Sequence, residues 1–192
     1  MSAARAALTL CPGLALAHWL TATVLIARGA FDAALDVLRD GCAAQAAQAR
    51  ACEMELSEAD PGQVYARQCT ANAWYALGAA RLRQRRRHEA ESAFEQALDT
   101  APGHLCAAAA MGRPLPVVSP NDPRGADAAT AHAIRLARAG RHPDAALAFR
   151  DALAALPSPA AGWILPVEPL LHTAARPSIW ADALAIVRQR AV

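Results

Sequence analysis

The chain has 192 residues, of which 55% are hydrophobic and only 5% aromatic, and it carries a formal net charge of +2. Alanine makes up much of the apolar share and β-branched runs are scarce, which excludes a β-rich fold and points to an all-α protein. The charge is too near neutral to drive nucleic-acid or membrane association by itself. The five cysteines are odd in number and lack a Cys-x-x-Cys pair, which excludes a disulfide framework or a zinc site.

The first twelve residues read as a helix ending at Pro12-Gly13, with Ala3, Ala4, Ala7 and Leu8 on an apolar side. Leu8 to Ala27 is almost uncharged. The Pro-Gly break and the polar His18, Thr21 and Thr23 argue against a signal peptide or a membrane span. Ala15 to Gln48 follows as a helix, a turn at Gly29 and a second helix carrying Ala34 and Leu38. Cys42 to Asp60 is rich in Ala, Gln and Glu and is expected to be helical up to a stop at Pro61-Gly62. Gln63 to Thr70 then extends the next helix backwards by about two turns.

Ala73 to Pro102 is the clearest stretch. It reads as two helices joined by a tight, charged turn. In the second, Ala90, Phe94, Ala97, Leu98 and Ala101 recur at steps of three and four residues, which places them on one face. Small Gly78 and Ala90 permit close approach of the pair, while Trp74, Leu77 and Phe94 fill the space beside it. Glu89 and Glu91 suit the positive end of the second helix, and the arginines of the turn suit the negative end of the first.

After Pro102, His104 to Met111 reads as a short helix. Pro114, Pro116, Pro120 and Pro123 then impose a loop. A second clear helix pair spans Ala126 to Ser158, its first helix ending at Gly140 and its second entering through Pro143. Ala145, Phe149, Ala152 and Pro157 repeat the spacing of Ala90, Phe94, Ala97 and Pro102. Beyond an extended Leu165–Pro169 stretch, Ser178 is placed to cap a last helix with Ile179, Trp180, Ala183, Leu184 and Val187 on one stripe.

Trp74-x2-Leu77-Gly78, then Ala90-x3-Phe94 and Pro102, resembles the tetratricopeptide repeat. The resemblance implies a helical-hairpin solenoid with about three recognisable repeats, one of them partial, and a C-terminal capping helix. It divides the chain into N-terminal repeats over 1–111, a Pro-rich loop over 112–125, and a repeat with its cap over 126–192. In that family the first helices line a concave groove. The positions that match are Trp19, Asn72, Tyr75, Leu82 and Arg83, with Thr130, Ile134 and Arg138 in the later repeat. The Lys/Asn clamp some members use on a peptide carboxylate is not matched, since the chain has no Lys and Ala79 stands where an Asn is wanted.

No Gly-x-Ser-x-Gly, phosphate loop or His-Glu-x-x-His occurs. His104 and Cys106 are two residues apart and point differently on a helix, and Glu168 reads as a surface carboxylate between prolines. No catalytic residue, metal site or cofactor is therefore expected. Arg83, Arg85, Arg86 and Arg87 form a candidate anion patch, but no aromatic residues interleave, so a solvated turn answering Glu89 and Glu91 is preferred.

The reading is a non-enzymatic, cytoplasmic, bacterial-type module that binds a partner protein or peptide, with no small-molecule substrate, membrane or nucleic-acid partner expected. The alternatives are the sensor or scaffold portion of a larger signalling or regulatory protein, and an anion or nucleic-acid binder acting through Arg81 to Arg87. The unpartnered N-terminal helix implies either a fragment of a longer chain or self-association through that face.

Overall fold

The computed structural model describes residues 6, 9–10, 15–30, 32–34, 36–37, 40, 61–118, 122, 124–156 and 168–190. The expected helix over Cys42–Asp60, the extended residues 165–167 and the face formed by Ala3, Ala4, Ala7 and Leu8 lie outside them. Among the described residues every regular element is helical. In order they are α1 (Ala15–Ala27), α2 (Pro61–Arg83), α3 (Arg87–Thr100), α4 (Leu105–Ala110), α5 (Gly125–Arg138), α6 (His142–Ala155), a 3-10 turn (Thr173–Ala175) and α7 (Pro177–Arg190). The chain divides into two compact units, Met1–His104 and Leu105–Val192.

In the first unit α2 packs against both α1 and α3. A cluster of small residues, Ala22, Ala34, Ala73, Ala76, Ala80 and Ala93 with Leu77, is buried, and Leu25, Val37 and Trp74 pack around it. Alanines at a helix contact let the backbones approach, so the larger side chains gather beside the contact. Gly78 marks the tightest point. A Cβ added there would lie 2.5 Å from Phe94 Cε1 and 3.1 Å from the Ala90 carbonyl oxygen. Phe94 is buried and its ring lies 5.8 Å from that of Tyr75. His18 adds a polar tie, its Nδ1–H donating to the Val37 carbonyl at 3.1 Å.

Pro61 begins α2; the stretch before it, whose end the sequence reading sets at Pro61, lies outside the described residues. The first helical position wants no N–H from its residue, and proline's fixed φ is already helical there. Pro177 stands in the same position. It starts α7, and Ser178 lies inside the helix rather than capping it.

In the second unit α5 packs on α4 and α6, and α6 packs on α7. The division expected at the Pro-rich loop therefore moves back to His104, because the short α4 belongs with α5. Phe149 and Trp180 are fully buried and meet edge to face at 6.4 Å. Through this contact α7 covers α6, as expected of a cap. Arg190 reinforces it by donating from Nη2 to the Leu153 and Leu156 carbonyls, the latter at 2.9 Å, at the C-terminal end of α6. A cation there meets both unpaired carbonyls and the negative end of the helix dipole.

One turn ends α4 at Gly112, where φ is 69° and the Arg113 N–H returns to the Ala108 carbonyl at 2.9 Å, and three further copies of it each lead from one helical segment into the next. Gly29, Arg85 and Gly140 all take positive φ, at 77°, 64° and 77°. In each case the next residue's N–H returns to a carbonyl five residues back: Ala30 to Leu25, Arg86 to Arg81 and Arg141 to Leu136, all at 2.9 Å. Five residues after each turn residue stands a fully buried alanine, Ala34, Ala90 or Ala145. This closure satisfies the carbonyls left over at the end of the first helix and aims the second helix back along it.

Arg85 is the one non-glycine at this turn, and a side chain in the left-handed region costs roughly 1–2 kcal/mol. Arg85→Gly is therefore expected to stabilise the protein by about 1 kcal/mol, reduced somewhat by glycine's greater freedom in the unfolded chain. Urea denaturation measures this; a destabilised variant would show that the Arg85 side chain itself holds the turn.

Candidate functional site

The positions expected to face a partner do not form a single exposed strip. On α2, Tyr75 is only 4% exposed, because its ring sits between Phe94 and His104, 5.3 Å from the latter. On α5, Thr130 and Ile134 are also buried. The Thr130 hydroxyl donates back to the Ala126 carbonyl at 2.8 Å. These three are corrected from contact residues to packing residues. Asn72, Leu82 and Arg83 are half-buried and Arg138 is exposed. Trp19 belongs to α1, and its side chain lies outside the described residues.

Asn72 has a partner that its sequence position does not announce. Its Oδ1 accepts from His104 Nε2 at 3.0 Å and from Gln68 Nε2 at 3.3 Å. His104 follows the Pro102-Gly103 break and folds back onto α2, where it is 6% exposed. Burial disfavours its cation and brings its pKa down to about 4 from 6.5, a backbone hydrogen bond opposing the shift. A neutral imidazole donating from Nε2 is the form that fits beside Asn72. The linkage spans 32 residues of sequence, too far for helical periodicity to reveal it.

The arginine turn is an ion-pair network. Arg81 and Arg86 both engage Glu89, and Arg86 does so with two bonds of 2.6 Å. Arg87 meets Glu91 at 3.2 Å, with His88 3.9 Å from the same carboxylate. Arg83 is half-buried, and desolvation lowers its pKa. Arg141 and Asp144 repeat the Arg86–Glu89 arrangement at 2.7 Å at the start of α6. The pattern therefore belongs to the hairpin itself, which favours the solvated-turn reading of Arg83, Arg85, Arg86 and Arg87. Exposed pairs of this kind contribute about 0.2–1 kcal/mol each.

Glu168 is not on the surface. It is 5% exposed, and one carboxylate oxygen accepts the Leu170 N–H at 3.1 Å. Burial pushes the Cys106 thiol well above its usual value, and the charges of Glu168 and Asp127 push the same way. A thiol held protonated is a poor nucleophile. Among the described residues no group of three His, Cys, Asp or Glu is placed to hold a metal ion, and no helix is long and apolar enough to cross a membrane.

The hairpin of α2 and α3, closed at Gly78 and Phe94, coincides with a match to the family model described as tetratricopeptide repeat, over residues 71–104. Residues 71–104 are a tetratricopeptide repeat. No curated protein and no solved structure matches it. The tetratricopeptide repeat ends at His104, so the buried imidazole closes the matched unit as well as the α2 face.

The His104 environment sets a pH dependence. A histidine with a depressed folded pKa holds its full contribution above about 6.5 and loses it as pH falls from there towards 4. The loss expected is about 3 kcal/mol. His104→Gln, which keeps a donor for Asn72, is expected to lack this component. Urea denaturation of both proteins between pH 7 and pH 4 measures the difference; parallel stability curves would contradict it.

Proposed function

We propose that the chain is a non-enzymatic protein–protein interaction module that binds a partner peptide or protein along the α2 face of its tetratricopeptide repeat. The carrying observation is the repeat itself. Its hairpin is rigidly closed at Gly78 and Phe94, while Leu82 and Arg83 remain partly accessible on the first helix. Repeats of this family generally mediate protein–protein contacts, and a rigid helix face costs little conformational entropy to present to a partner. Asn72, held by His104 and Gln68, contributes a fixed polar edge to the same helix. Arg138 is the exposed counterpart on α5. A bacterial-type cytoplasm is the setting proposed, with Cys106 as a free thiol.

The test uses the full chain as bait in lysate of the source cell, beside the double variant Leu82→Glu/Arg83→Glu. A partner captured by the wild type and lost by a variant of unchanged circular dichroism and melting is the expected result. Capture of the same proteins by both baits would contradict the α2 face as the site.

A further inference from the structure

The two hairpins can be matched residue by residue. Arg85/Gly140, Ala90/Ala145 and Phe94/Phe149 share one offset. The same offset pairs Ala73, Ala76, Leu77 and Ala80 of α2 with Ala128, Ala131, His132 and Arg135 of α5. In the first unit those four α2 residues are buried in the cluster with Ala22 of α1 and with Ala34. In the second unit their counterparts line a cleft of about 230 Å³, closed on its other sides by Leu105, Leu115 and Pro116. The six-residue α4 and the Pro-rich loop thus stand where α1 and the residues around Ala34 stand in the first unit, and they cover the face only in part.

Two substitutions change the chemistry of this face. A buried leucine becomes the exposed His132, and a buried alanine becomes the exposed Arg135. Among the described residues Arg135 has no side-chain hydrogen bond or ion pair. Arg124, just before α5, is by contrast taken by Asp122 at 3.1 Å. A face meant only to be sealed by its own chain gains nothing from a cation there. Val117, beside Pro116 on the loop, is fully exposed and continues the apolar surface outward.

We propose that the cleft formed by α4, Leu115–Pro116 and α5 is a docking site for an acidic, aliphatic segment of a partner protein. One leucine-sized side chain fills the cleft against Ala128 and Leu105. A carboxylate flanking it pairs with the Arg135 guanidinium, whose planar fork suits two parallel bonds. His132, one turn away, offers a ring nitrogen to the segment's backbone. The cleft is smaller than the roughly 300–1,000 Å³ of pockets that enclose drug-sized ligands, which favours a single side chain of a longer chain over a free small molecule. The inference rests on the interaction-module reading and adds a second contact surface with a stated chemistry.

Fluorescence anisotropy on the full chain tests it, with a fluorescein-labelled pentapeptide of sequence Asp-Leu-Glu-Leu-Asp as probe. Saturable binding is expected, about tenfold weaker for Arg135→Glu and for a probe with lysines in place of the acids. Ala128→Trp, which fills the cleft, is expected to abolish binding. Leu82→Glu/Arg83→Glu is expected to bind the probe like the wild type. No saturable binding at millimolar concentration, or equal binding by Arg135→Glu, would overturn the proposal. N-acetyl-leucine competing as strongly as the unlabelled pentapeptide would overturn it too, by showing a small-molecule site. Loss of lysate capture in the Leu82/Arg83 variant without any probe binding removes the cleft alone. Probe binding with capture unaffected by that variant removes the α2-face reading alone.

Discussion

The close approach of α2 and α3 at Gly78 is the constraint on which the first unit depends. The Phe94 ring occupies the space that any larger residue at position 78 would need, and the Ala90 carbonyl lies just behind it. With that ring in place, Tyr75 packs on Phe94, His104 packs on Tyr75, and Asn72 receives the His104 proton. The order of this stack is therefore set by one missing side chain. In the second hairpin the Gly78 position is Ala133, also fully buried, and Phe149 turns its edge to Trp180 instead. Two hairpins with the same spacing thus organise different surroundings.

Much of the fold can be read from spacing. Ala90 and Phe94, and again Ala145 and Phe149, reveal the second helices because their period is local and repeats. Gly29 and Gly140 reveal two turns because glycine is the residue that adopts positive φ at no steric cost. The turn at Arg85 has the same geometry but lacks that signal, and charge patterning alone locates it. Ser178 misleads as a cap for a related reason, since Pro177 already starts α7. Proline follows a helix end as readily as it begins a helix, and only the chain on both sides decides which.

The site is less legible, because exposure is a tertiary property. Family position alone makes Tyr75, Thr130 and Ile134 contacts, and packing buries all three. Glu168, flanked by prolines, reads as exposed until the fold closes over it and the Leu170 N–H satisfies it. Nothing in helical periodicity connects Asn72 to His104. By contrast, the cleft residues His132 and Arg135 were visible in principle. Aligning the two hairpins shows them standing where leucine and alanine are buried in the first.

Gly78 and Phe94 act as one unit, and a double-mutant cycle between them measures that coupling. Gly78→Ala, Phe94→Leu and the double variant are compared by urea denaturation. The added methyl is expected to cost about 1–3 kcal/mol against the wild-type ring. The smaller leucine is expected to relieve part of that cost, leaving a coupling of at least about 0.5 kcal/mol between the sites. Strictly additive losses would contradict the account, since they would mean that the ring and the missing side chain do not compete for the same space.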